Sequence, residues 1–197
     1  IIQMDLVTVN NGKYNVSYIK DDSYIGPLIA RGYEWDGWMR MDIEHLYKPG
    51  TDILDVGGNI GYNSLMFSDY GPVYTYEPMF HEIITKNVKQ NNLKNPINVF
   101  PYGLSSKDET VKMYRPKIYR EDKTTNYGGY GMTYNPENSI DNSEYVQVKR
   151  LDDVYSGTPS IIKVDIEGHE KYFLEGAKET ILKHKPYLLI EIHDIES

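Results

Sequence analysis

One stretch constrains this chain more than any other: DILDVGGNIGYNSLMF, Asp52 to Phe67. An apolar run ends in an acid, a glycine turn follows, and the next residues carry helical spacing. A strand turning straight into a helix opens a βαβ unit, which needs a parallel partner strand. The rest of the chain keeps that alternation. VYTYEP reads as a strand, HEIITKNVKQNNL as a helix and INVFPYG as a strand. Later, SIIKVDIEG reads as a strand, HEKYFLEGAKETILKHK as one helix and YLLIEIH as a strand. The fold class predicted is α/β, a Rossmann-like parallel sheet with helices on both faces.

Ahead of that core, MDLVTV-NNGK-YNVSYI has the alternation and the turn signal of a β-hairpin, and DGWMRMDIEHLYK is helical until Pro49-Gly50 stops it. The 197 residues therefore read as a single domain, with hairpin and helix over 1–48 and a ligand-binding core over 49–197. Between about 115 and 144 the core loses periodicity and becomes rich in Tyr, Gly, Asn and Pro. The chain does not begin with Met, which reads as trimming or excision from a longer polypeptide.

Composition narrows the function. With 29 acidic against 21 basic side chains, the formal charge is −8, a field that repels phosphate backbones and disfavours nucleic acid as a partner. Absence of cysteine removes disulfides, Cys-based zinc sites and thiol nucleophiles, and fits a reducing, cytoplasmic compartment. No run approaches the ~18 apolar residues of a membrane span. The histidines His45, His81, His169 and His184 lack ligand spacing, so no metal is expected.

The turn itself separates the candidate ligands. Gly57 can take a positive φ, Gly58 can let a ligand approach the backbone, Asn59 tolerates the left-handed region, and Gly61 permits close helix–strand packing. No lysine follows, so this is not a P-loop, and Asn59 stands where a dinucleotide site wants its second glycine. Asp55 at the strand end suits a ligand with a cationic group and hydroxyls. S-adenosylmethionine, with its ammonium, sulfonium and ribose diol, meets that description. Glu77, twenty-two residues after Asp55 and followed by Pro78, is placed to accept the ribose hydroxyls. The backbone around Gly103 and Leu104 would lie beside the adenine.

The chain resembles the FkbM-type family of S-adenosylmethionine-dependent methyltransferases. GYEW, PGTDILDVGGNIGYNSL, YTYEP, NVKQNNL, YGLSS, VKRLDDV, IIKVDIEGHEKYFLEGA and KPYLLIEIH carry the resemblance, in family order, from Gly32 to His193. It implies a seven-stranded methyltransferase-like fold and methyl transfer to an oxygen, with a small-molecule or glycan hydroxyl as acceptor. Family members continue past EIH with a helix and an antiparallel strand pair. Here Ser197 follows almost at once, so either the sheet is shortened or the amino-terminal hairpin covers its edge.

Methyl transfer to a hydroxyl needs alignment and, in general, a proton acceptor. Asp165, where IIKV leaves the sheet, is the candidate base or orienting group; its alternative is a cap on the next helix. Glu167, alternating with Asp165 along an extended segment, joins it or is a first-turn helix acid. His193 has the pKa range of a base and follows Glu191 on the same strand side; the alternative is an exposed chain end. Lys163 is expected to pair with a neighbouring acid. Glu34 either reaches the methionine end of the cofactor or is a helix-start acid. Tyr62 and Asn63 open the helix after the turn, and Tyr62 covers the cofactor or simply packs. Tyr119, Tyr127, Tyr130 and Tyr134 have the amphipathic rings that stack on sugars. Competing classes are a nucleic-acid methyltransferase and a non-catalytic module keeping the fold.

Overall fold

A computed structural model describes residues 4–116, 124–132 and 139–192. In chain order the strands are β1 (Leu6–Asn10), β2 (Asn15–Ile19), β3 (Asp52–Val56), β4 (Val73–Tyr76), β5 (Ile97–Phe100), β6 (Gly103–Leu104), β7 (Glu109–Pro116), β8 (Ser139–Lys149), β9 (Pro159–Val164) and β10 (Tyr187–Ile190). The helices are α1 (Ile25–Ala30), α2 (Met39–Leu46), α3 (Tyr62–Phe67), α4 (His81–Lys89), α5 (Leu151–Val154), α6 (Glu170–Gly176) and α7 (Lys178–His184). None of the described helices is long and apolar enough to cross a membrane.

The central sheet is parallel with order β10-β9-β3-β4-β5. β3 comes first in the chain, its successors β4 and β5 lie on one side, and β9 and β10 lie on the other. The strand order reverses between β3 and β9, which opens a crevice beyond the carboxyl ends of these two strands.

Both sheet faces are covered, as the short apolar strands require. Ile53, Val73 and Ile161 pack against α2 and α3; Leu54, Val56, Tyr76, Ile162 and Val164 pack against α5 and α6. The first face is not uniformly apolar. Near its crevice end Asp55 stands opposite Thr75 on one side and Lys163 on the other, all buried.

Four features differ from the sequence expectation. Among the described residues the central sheet has five strands rather than seven; β6, β7 and β8 form a separate three-stranded sheet. The amino-terminal hairpin does not cover a sheet edge. It lies over the helix layer, where Asn87 of α4 accepts from Ser17 N at 2.7 Å and donates to Ser17 O at 3.0 Å. The helix expected from Asp36 starts at Met39, because Asp36 takes φ +49°. HEKYFLEGAKETILKHK is two helices, broken at Ala177 (φ −111°, ψ 6°). Breaking a helix exposes new backbone donors, and here a remote side chain accepts them: Asp152 of α5 takes Glu179 N at 3.0 Å and Thr180 N at 2.9 Å.

A roof crosses the crevice. Residues 124–132 pair with Asp22 through Thr125 and with Tyr114 through Gly131. Ser23 N donates to Thr125 O at 2.9 Å, Thr125 N to Asp21 O at 3.0 Å, and Asn59 Nδ2 to Tyr127 O at 3.4 Å. The Tyr127 and Tyr130 rings stack 6.1 Å apart at 3°, and both stand edge-on to Phe80.

Gly176, in the LEGA segment, lets α6 approach β6. A Cβ there would run into the Ser105 carbonyl oxygen and sit 2.9 Å from its carbon, backbone that cannot move aside cheaply. Gly176→Ala should therefore cost about 1–3 kcal/mol and lower the melting temperature by several degrees. Leu182→Ala, at an exposed position of α7, should leave it near wild type. Equal melting of Gly176→Ala and wild type would show that this contact is not tight.

Candidate functional site

The crevice holds a cavity of about 410 Å³, formed by the β3–α3 turn, the ends of β4 and β9, β6, the segment around Trp35 and the roof. Its floor is the glycine turn. Gly57 has φ +83°, and any side chain there would strike the Asp165 carbonyl oxygen. Gly61 has φ +84° and packs its Cα face against Ile84. Gly58 also lines the cavity. The place of its missing Cβ is closed by Thr75 Oγ1 and Ile84, so strand–helix packing requires glycine there as well. Asn59 is left-handed at φ +50°, as its residue type allows.

Glu77 is buried and lines the cavity. Its carboxylate accepts from Asn59 N at 3.0 Å, Met79 N at 2.7 Å and Phe80 N at 3.1 Å, tying the turn to the start of α4. Burial pushes its carboxyl above the ordinary glutamate value, against the lowering effect of those N–H groups. Pro78, Gly103 and Leu104 form the neighbouring wall.

Asp55 does not face the cavity. It is 0% exposed beneath the turn, accepts from Ser64 Oγ at 2.6 Å and lies 3.5 Å from Lys163 Nζ. The period-2 geometry of β3 turns its side chain into the sheet face rather than toward the turn. Lys163 pairs with two acids, as expected: Asp55, and Asp165 also at 3.5 Å; its ammonium also donates to Gly57 O at 3.0 Å. Burial pulls its pKa down, but the two carboxylates outweigh burial and hold it above the ordinary lysine value.

Asp165 lines the cavity with its side chain 29% exposed. The capping alternative falls away, since α6 begins five residues later, after His169. Glu170 is the first-turn acid, accepting from Gly168 N at 3.1 Å. Glu167 also lines the cavity, but not by extended alternation. Glu167 (φ +52°) and Gly168 (φ +86°) bend the chain back, and Gly131 of the roof packs against the Glu167 side chain. Glu191 lines the same space, whereas His193, Tyr119 and Tyr134 lie outside the described residues.

Glu34 is directed elsewhere. It pairs with Lys13 at 2.5 Å and Arg40 at 2.8 Å, in a network that Arg40 extends to Asp69. The acid facing the cavity is Asp36, two residues on, which the sequence reading passed over; its signal was the Asp-Gly turn pair that opens the segment read as helix. Asp36 Oδ2 accepts from Asn63 Nδ2 at 3.0 Å. Tyr62 packs: its hydroxyl accepts from Asn11 Nδ2 at 2.7 Å, its ring meets Tyr14 edge-on, and one side still touches the cavity. Tyr24 and Trp35, also unforeseen, meet edge-on at 5.4 Å on the cavity wall.

Two properties follow for the whole cavity. Asp36, Asn59 and Glu167, three of the four non-glycine residues with positive φ among the described residues, all line it; such strain collects where side chains are held for a ligand. The described lining carries five carboxylates (Asp36, Glu77, Asp165, Glu167, Glu191) against one ammonium, Lys163. That balance favours a cationic ligand and opposes phosphates. Among the described residues no group of three or more His, Asp or Glu side chains could hold a metal ion.

Removing the ammonium tests how the floor is held. Lys163→Met leaves Asp55 buried without its cation and should cost about 3–5 kcal/mol near neutrality. Asp55 already has a folded pKa raised by burial, and losing Lys163 raises it further. A carboxyl raised in the folded state stabilises folding once protonated and loses that contribution as pH rises through its folded pKa. The deficit of the variant should thus be largest at about pH 7 and shrink toward about pH 4. Urea unfolding across that range measures it; a deficit independent of pH would place the cost elsewhere.

A family model described as the methyltransferase FkbM domain matches residues 55–197. Hexuronic acid methyltransferase AglP of Haloferax volcanii is 30% identical over 146 residues, covering 72% of this chain and 56% of that protein. The chain thus spans little more than half the length of that curated relative. The solved structure of Methyltransferase FkbM from Methylobacillus flagellatus KT matches with a TM-score of 0.48 and 22% identity, covering 71% of this chain and 32% of that one. The family model takes in the glycine turn, Glu77, Asp165 and the chain from the last two residues of β3 onward, and the chain belongs to the FkbM methyltransferase family.

Proposed function

We propose that this protein is an S-adenosylmethionine-dependent O-methyltransferase acting on a hydroxyl of a sugar in a glycan or glycoside. The observation that carries the proposal is the acid-lined cavity at the β3–β9 switch point, floored by a glycine turn that Glu77 ties to α4. Family membership supports the reaction class, and the relative named for a hexuronic acid supports a sugar acceptor.

The residues present fit the cofactor. An ionised carboxylate offers about four acceptor positions, and Glu77 uses three on backbone N–H groups, which leaves capacity for a ribose hydroxyl. Pro78, Gly103 and Leu104 would flank the adenine. When bound, S-adenosylmethionine supplies a methyl group on a positively charged sulfur, open to in-line displacement. Asp165 would accept the proton of the acceptor hydroxyl as the new carbon–oxygen bond forms and the methyl carbon–sulfur bond breaks, its electron pair leaving with a neutral thioether. Lys163, 3.5 Å from Asp165, pairs with that carboxylate and would fix its direction. Glu167 and Glu191 would orient the acceptor, with His193 as the rival base. Tyr127 and Tyr130 offer apolar ring faces to a sugar.

S-adenosylmethionine and S-adenosylhomocysteine should each raise the melting temperature, by an amount corresponding to about 2.7 kcal/mol at a hundredfold excess over Kd, while NAD leaves it unchanged. Stabilisation by NAD alone would remove the cofactor assignment. On an acceptor found by screening sugars for methyl incorporation by mass spectrometry, Asp165→Asn should lower turnover by roughly 10²–10⁴ with cofactor affinity within a few-fold. His193→Ala should cost less; the reverse order, with a rate following a group titrating near neutrality, would make His193 the base. Cofactor binding without turnover on any acceptor would favour a non-catalytic module.

A further inference from the structure

We infer that Asp36 and Asn63 together form the subsite for the α-ammonium of the cofactor's methionine tail; this rests on the cofactor reading above. The starting point is Asn63, only 5% exposed and part of the cavity wall. Its Nδ2 donates to Asp36 Oδ2 at 3.0 Å. An ionised carboxylate accepts only, so Asp36 dictates which way the Asn63 amide points. The amide oxygen is thereby left facing away from Asp36, buried and without a hydrogen-bond partner. A buried acceptor without a donor is costly unless a ligand or water supplies one.

The chemistry of the missing donor is set by its neighbour. Asp36 brings a full negative charge, held in a left-handed conformation (φ +49°) that Gly37 follows. An ammonium has three donors, no acceptor and a positive charge, and so satisfies the amide oxygen and the carboxylate together. Position agrees with chemistry. Asp36 and Asn63 line the same cavity as Glu77, Gly103 and Leu104, the residues proposed above for the ribose and adenine, and Asn63 sits in the first turn of α3. The acid carrying this recognition is thus Asp36, with Glu34 committed to Lys13 and Arg40.

Calorimetry on the whole chain tests this with three probes: S-adenosylhomocysteine, its analogue lacking the α-amino group, and 5′-methylthioadenosine, which lacks the whole amino-acid tail. Wild type should bind S-adenosylhomocysteine roughly 10- to 100-fold more tightly than the des-amino analogue, the range of one charge-assisted hydrogen-bonded contact. Asp36→Asn should erase most of that gap and leave methylthioadenosine affinity within about two-fold, a non-additivity that marks direct contact. The wild-type comparison needs no variant and stands even if Asn63→Ala fails to fold. Equal affinity of wild type for the first two probes would overturn the subsite, as would an Asp36→Asn loss shared equally by all three. Failure of wild type to bind any of them would instead overturn the cofactor reading itself.

Discussion

Lys163 reaches from β9 to donate to the Gly57 carbonyl at 3.0 Å while standing 3.5 Å from both Asp55 and Asp165. The cavity depends on that arrangement. Two strands far apart in sequence end side by side, and a turn with positive φ at two glycines must be held against them. The ammonium joins the end of β3, the turn and the exit of β9 through charge and hydrogen bonding. Such a buried group is weak evidence of net stability, because desolvating three charges offsets much of their attraction. What it supplies is position: the carbonyl of Gly57 and the carboxylate of Asp165 cannot drift apart without stranding a charge.

The same economy explains why Asp55, the acid most visible in the motif, has no direct view of the ligand. Its work is to hold Lys163 and Ser64 below the floor. A motif acid can therefore matter to ligand binding by fixing the shape of the turn rather than by touching what the turn holds. Glu77 is placed differently, since its carboxylate ties the turn to α4 and also faces the cavity.

Much of the architecture was legible because it rests on local rules. Short apolar runs such as Ile53–Val56 and Ile161–Val164 are buried from both sides, so they read as parallel strands, and Gly57, Asn59 and Gly61 announce a backbone other residues avoid. What escaped was set by tertiary context. Glu34 and Asp36 are two residues apart and chemically alike; Lys13 from the hairpin and Arg40 from α2 draw one away, and a left-handed turn aims the other inward. Within residues 169–185 Gly176 alone hints at a break at Ala177, and the acceptor that supports it, Asp152, belongs to another helix. Extended alternation placed Asp165 and Glu167 together for the wrong reason: both reach the cavity, but through a reversal at Glu167 and Gly168.

The roof has a thermodynamic consequence of its own. It is joined to the body through backbone bonds between Thr125 and Asp21–Ser23, a bridge from Gly131 to Tyr114, and one amide from Asn59 to Tyr127. Asn59 is at once part of the floor and an anchor of the ceiling. A molecule settling on the turn would touch a residue that also holds the ceiling, and if it shifted that bond, reciprocity would require the seating of the ceiling to act back on its binding. Floor and ceiling thus share one fastening, a single asparagine between them.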